Sequence, residues 1–187
     1  THYARARWHQ KAWWNGAAAP AIHVRPNVSY LIASKAVSNY DLSTKPAETM
    51  LATFAKETNA NTTGPMTIGP LVAYMGTTGG RGDIGPLPTW SVSYLLSLDK
   101  RARAAMMALA DGSGTWSIHL RDENTGQPLR VDNEANSNVT THSKLLKVGP
   151  LPAPRFAASP YSDDVAHQPS LAYLPYLLTG DYYYLEE

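Results

Sequence analysis

Two segments combine the residue types that acid–base or anion chemistry requires. The first is a Gly-rich loop over residues 76–86, which carries Arg81 and Asp83 and leads into an apolar run. Glycines permit sharp turns, and a helix that begins where they end offers free N–H groups to an anion. The loop lacks the Gly-x-x-x-x-Gly-Lys-Ser/Thr spacing and follows no convincing strand, which argues against a nucleotide P-loop. The second segment, residues 163–170, carries Asp163, Asp164 and His167. An imidazole serves as acid or base near neutral pH, and a neighbouring carboxylate can orient it. Plainer readings stand beside both: a tight connector in which Arg81 and Asp83 pair locally, and a capping aspartate next to a structural histidine.

Aromatic residues form the third group. Trp8, Trp13 and Trp14 crowd the first residues beside His9, His23 and Arg25, and Tyr173, Tyr176, Tyr182, Tyr183 and Tyr184 crowd the last. Flat apolar rings stack on sugars, and they also fill cores and interdomain contacts. Metal chemistry finds no support. The six histidines are scattered, with no His-x-x-x-His or His-Glu-x-x-His, and cysteine is absent. No Gly-x-Ser-x-Gly elbow supports a serine nucleophile. Arg81-Gly82-Asp83 and the Asn-x-Ser/Thr triplets at Asn27, Asn61 and Asn138 read as chance matches. No cofactor is implied.

Composition narrows the classes further. Of 187 residues 43% are hydrophobic and only 17% charged, below the usual quarter, which suits a segment covered by other parts of a larger protein. Sixteen cations against 15 carboxylates give a net charge of +1, so no broad basic footprint for nucleic acid exists. No run approaches the ~18 apolar residues of a membrane span, so neither nucleic acid nor membrane is an expected partner. The cations before Trp13 and Trp14 precede no apolar core and make no signal peptide.

The elements that must position these residues repeat. Residues 94–99 (Tyr-Leu-Leu-Ser-Leu-Asp) return as residues 176–181 (Tyr-Leu-Leu-Thr-Gly-Asp), with an earlier echo at residues 30–34. Each full copy predicts an inner apolar helix, a tight turn, and an outer helix begun by the aspartate. The first copy predicts a buried helix over 87–98, then an amphipathic one over 100–110 with Ala102, Ala105, Met106 and Leu109 inward. The second predicts a helix over 165–178, kinked or broken by Pro175, and a last helix from Tyr182 whose short length implies that the natural chain continues past Glu187. A further amphipathic helix is expected over 46–58, with Pro46 in its first turn and Met50, Leu51, Phe54 and Ala55 on one face. Residues 111–159 read as an irregular insertion with a short β-hairpin over 118–131.

Residues 79–90, 166–170 and 176–181 together resemble a group of large bacterial and phage-encoded proteins similar to the exo-rhamnogalacturonan lyase-like families. Those combine a RIFT-type barrel, a β-sandwich and a C-terminal (α/α) toroid. The resemblance implies a mainly α fold, with residues 1–187 forming αα-hairpins of one toroid domain and their inner-helix starts facing a polysaccharide cleft. A lyase must neutralise its substrate's carboxylate and remove a proton beside it. Arg81 is then expected to hold the carboxylate, and His167 to act as acid or base with Asp83 or Asp164 orienting it. Trp90, Tyr173, Trp13 and Trp14 are the expected stacking surfaces. The expected partners are a polysaccharide and the remainder of the same polypeptide, in a secreted, cell-surface or virion-associated setting. Two rival readings are a non-catalytic virion or cell-surface scaffold that binds glycan without cleaving it, and a helical array that binds only protein.

Overall fold

A computed structural model describes residues 14–16, 23–58, 63, 82–115, 125, 127 and 170–187. Among these lie six α-helices and no strand: α1 (Val28–Ala33), α2 (Glu48–Glu57), α3 (Thr89–Ser97), α4 (Lys100–Asp111), α5 (Tyr173–Thr179) and α6 (Tyr182–Glu186). Single 3-10 turns occur at Trp14–Gly16 and Ser113–Thr115. The β-hairpin expected over 118–131 lies outside the described residues.

The two turns expected to be copies close with the same four hydrogen bonds. In the first, the Leu98 amide donates to Tyr94 O (2.7 Å) and the Ser97 hydroxyl to Ser93 O (2.6 Å). The Asp99 amide then donates to Ser97 Oγ (3.1 Å), and Asp99 Oδ1 accepts the Arg101 amide (2.8 Å). In the second, Gly180 donates to Tyr176 O (2.8 Å) and the Thr179 hydroxyl to Pro175 O (2.8 Å). Asp181 donates to Thr179 Oγ1 (3.1 Å), and its Oδ1 accepts the Tyr183 amide (3.0 Å). A helix ends, one left-handed residue reverses the chain, and an aspartate side chain caps the next helix. The left-handed residue is Leu98 at φ 55° in one copy and Gly180 at φ 66° in the other.

The echo at residues 30–34 departs from this pattern. Helix α1 ends on Lys35 at φ 59°, with the Ala36 amide reaching back to Leu31 O (3.0 Å). No helix follows directly. Asp41 instead folds a local turn by accepting the Ser43 amide (2.9 Å) and the Ser43 hydroxyl (2.6 Å). At the other end of α1, Asn27 Oδ1 accepts the Tyr30 amide (3.0 Å), so that side chain serves as the helix cap.

Three helix boundaries differ from the sequence expectation, and proline explains one directly. Helix α3 begins at Thr89 because Pro88 biases Leu87 away from helical angles and itself takes ψ 156°. Pro175 causes no kink. Residues 170–172 are not helical, so Pro175 is the third residue of α5, where a missing N–H breaks no intrahelical bond. Pro46 stands outside α2, whose cap is extended Ala47. The buried stripe of α2 is also narrower than expected, with Leu51 and Phe54 inside and Met50 and Ala55 exposed.

Helix α4 is the hub, packing against α2, α3 and α5. Ala102, Ala105, Met106 and Ala110 are fully buried, and Leu109 nearly so, on the face the spacing predicts. One core runs from Val28, Leu51 and Phe54 through Trp90, Tyr94 and Leu95 to Leu171 and Leu174, so α5 shares the apolar interior of the first hairpin. Helix α6 is tied to the end of α4 by tyrosines. The Tyr183 hydroxyl donates to Asp111 O (2.9 Å) and accepts the Gly114 amide (3.3 Å), while the Tyr184 hydroxyl donates to Asp111 Oδ1. The start of α2 is held by charge. Arg101 spans both carboxylate oxygens of Glu48 and also binds Asp99. Lys45 Nζ donates to Leu96 O (2.7 Å) at the carbonyl end of α3, where a cation is favoured.

Two measurements check this frame. Gly180→Ala places a methyl group where no atom lies within 4 Å, so only the left-handed backbone is penalised. It is expected to cost about 1 kcal/mol in a denaturant melt; an unchanged midpoint would contradict the turn. The Arg101 hydrogen bonds, foremost, hold the Asp99 carboxyl below its ordinary 3.8. Its stabilising contribution is therefore present above that ordinary value and disappears as pH falls through the lowered one. Acid titration of stability downward from about pH 4 should show this loss, and Asp99→Asn should flatten that limb.

Candidate functional site

A part-open cleft of about 420 Å³ lies between the turn after α1, the stretch entering α3 and the first residue of α5. Lys35, Ala36, Asn39, Pro86, Leu87 and Tyr173 are among its lining residues. The local chemistry of each segment sets its shape. The reversal at Lys35 is closed by three amides, Lys35 to Ile32 O (2.9 Å) and Ala36 and Val37 to Leu31 O (3.0 and 3.3 Å). Buried Val37 anchors the turn in the core and leaves Lys35 exposed. On the facing side the Thr89 amide donates to Gly82 O (2.6 Å), which folds the end of the Gly-rich loop onto the start of α3. A Cβ at Gly82 would stand 3.1 Å from Thr89 Oγ1, so the close approach favours glycine there.

Tyr173 joins the two walls. Its hydroxyl donates to Ala36 O (2.7 Å), and its side chain remains 45% exposed. A ring tethered at its tip with a face open to solvent is a ready stacking platform. Lys35 supplies a cation at the rim, and no ion pair among the described residues engages it. No carboxylate or imidazole lines the cleft among the described residues.

Of the residues expected to act directly, Tyr173 is the one the described structure places in this cleft. Asp83 is 1% exposed, so its carboxylate meets no solvent-borne ligand in this conformation. Trp90 is 2% exposed within the main core and presents no ring face to a sugar. The cause is packing: α3 is enclosed in the shared core, with Tyr94 and Leu95, and Ser91 and Ser93 as well, buried beside Trp90. Trp14 stands 84% exposed on its single 3-10 turn. Arg81, Asp164, His167 and Trp13 lie outside the described residues. Tyr183 and Tyr184 hold α6 to α4, and Tyr182 is exposed.

Sequence reasoning missed Lys35. A lone lysine in a loop carries no motif; the available signal was a helix stop after Ser34 with no glycine to make it. Among the described residues no group of three histidines, aspartates or glutamates is arranged for a metal, and no helix is long and apolar enough to cross a membrane.

No family model, curated protein or solved structure matches the chain.

The tether on Tyr173 is testable through stability. Tyr173→Phe keeps the ring but removes the bond to Ala36 O, and should cost about 0.5–1.5 kcal/mol in chemical denaturation. A variant as stable as the parent would show that the hydroxyl does not fasten the cleft.

Proposed function

We propose that this chain forms one wall of a polysaccharide-binding cleft in a larger helical-hairpin protein of the polysaccharide lyase or glycoside hydrolase type, as part of an (α/α) toroid. The observation that carries the reading is the tethered, half-open Tyr173 ring beside the Lys35 cation, which no ion pair among the described residues engages. Together they fit an acidic sugar, the ring under the apolar face of the pyranose and the ammonium beside its carboxylate. The twin turns of α3–α4 and α5–α6 support the repeated-hairpin part of the reading. In the catalytic version, Arg81 supplies the cation for the substrate carboxylate and His167 the acid or base, with Asp164 or Asp83 orienting the imidazole.

A second reading is favoured by the cleft's lining, which among the described residues holds a stacking ring and a cation but no acid–base pair. In it the same surface retains glycan on a virion or cell surface without cutting it. Titration calorimetry with oligogalacturonide tests the shared claim. Tyr173→Ala should weaken binding about 3- to 10-fold. Lys35→Gln should weaken the acidic ligand but leave a neutral oligosaccharide unaffected. Equal affinity for the parent and both variants sinks the cleft as the site. Release of shorter oligosaccharides separates the cutting version from the retaining one, unsaturated-sugar absorbance marks the lyase form of it, and Arg81→Ala and His167→Ala should abolish product formation.

A further inference from the structure

The cleft beside Tyr173 divides into two chemically different parts. Its polar side chains, Lys35, Ser38 and Asn39, are all exposed and stand at the mouth. Its floor is apolar. Val37 and Leu87 are buried members of the main core, Ile32 packs against that core, and Pro86 extends the same lining outward.

The backbone adds little polarity to the floor. The Lys35 amide is spent on Ile32 O, and the Ala36 and Val37 amides on Leu31 O. Ser38 O accepts the Tyr40 amide (2.8 Å), and Ala36 O holds the Tyr173 hydroxyl. Pro86 has no N–H to offer. A ligand that reaches the floor therefore meets hydrocarbon.

An unsubstituted uronate uses only part of such a cleft. Its ring carries a hydroxyl on most carbons, and a hydroxyl pressed onto Val37 or Leu87 loses its bonds to water without replacement. Lys35 accounts for the carboxylate and the Tyr173 ring for one pyranose face, but neither fills the floor. The group that fills it must be apolar, compact and borne by a sugar that keeps its charge. A methyl ester fails the last condition, because esterification removes the carboxylate that Lys35 attracts. An acetyl substituent meets all three. Its methyl covers the floor, and its carbonyl oxygen can accept from the Ser38 hydroxyl or the Asn39 amide at the mouth.

We propose that the cleft selects an acetylated acidic sugar, with the acetyl methyl on the floor formed by Ile32, Val37, Pro86 and Leu87 and the carboxylate beside Lys35. The inference rests on the polysaccharide reading of the Tyr173 cleft and narrows it to one class of ligand. An O-acetyl ester and an N-acetyl amide present the same methyl and the same carbonyl, so either source fits.

Titration calorimetry with matched trisaccharides tests this: a galacturonate trimer, its O-acetylated form, and a trimer of N-acetylgalactosaminuronate. At least one acetylated ligand should bind about 4-fold or more tightly than the plain trimer, the increment of one buried methyl group. The tighter of the two identifies ester or amide. Ile32→Thr keeps the β-branch but puts a hydroxyl on the floor. Pro86→Ser does so from an exposed position, where the core is not disturbed. Each should lower the ratio of acetylated to plain affinity towards one. If the plain trimer binds and both acetylated forms bind equally or more weakly, the inference falls while the acidic-sugar cleft stands. A ratio unchanged in both variants also overturns it. Failure of all three ligands to bind removes the cleft reading itself, and this inference with it.

Discussion

Helix α4 buries methyl groups where most hub helices bury leucines. Ala102, Ala105 and Ala110 are completely covered, and Met106 is the one long side chain among the fully buried positions. Small side chains let neighbouring helices approach closely, while an unbranched thioether fills the irregular space that remains. This permits α4 to touch α2, α3 and α5 at once. The other features follow from that constraint. The first hairpin must fold back through a tight turn, α2 must be held by charge at its start, and α5 must enter the same core through Leu171 and Leu174. The position of Tyr173, the first residue of α5, is therefore set by packing on α4, one layer below the cleft.

Polar bonds fix the alignment that the apolar face leaves open. Arg101 binds the aspartate that caps its own helix and the glutamate that begins α2, so one guanidinium sets turn and neighbour together. Asp111 carries a negative charge at the carbonyl end of α4, where the helix dipole disfavours it. The tyrosine hydroxyls of α6 donate to its side chain and backbone and relieve that conflict. A local electrostatic fault in one hairpin thus becomes the attachment point for the next.

Much of the helical frame was legible in the sequence for simple reasons. The spacing of Ala102, Ala105, Met106 and Leu109 permits one buried face, and the matching Ser97/Thr179 and Asp99/Asp181 pairs supply the same side-chain bonds to the same turn. Pro175 was misread because a helix reaching back to residue 165 would have put it in the interior; the described helix begins at Tyr173, and only the tertiary chain path decides that. Trp90 illustrates a different limit. An aromatic at a helix start suits a groove or a core equally, and the packing of α3 inside the shared core, its serines included, decides for the core. The cleft was half legible. Tyr173 was singled out by type, but Lys35 and Ala36 lie about 137 residues away in sequence, and only the fold brings that turn to the ring.

The central claim is that the turn at Lys35 and the Tyr173 ring together form a ligand surface held by the α4 core. Amide chemical-shift mapping on isotopically labelled protein tests it directly, by titrating in an acidic oligosaccharide. The account predicts that the largest perturbations cluster at Lys35, Ala36, Val37, Asn39, Leu87 and Tyr173, while Ala105 and Met106 on the buried face of α4 remain unmoved. Perturbations absent from those positions, or concentrated on the α6 tyrosines instead, would contradict it.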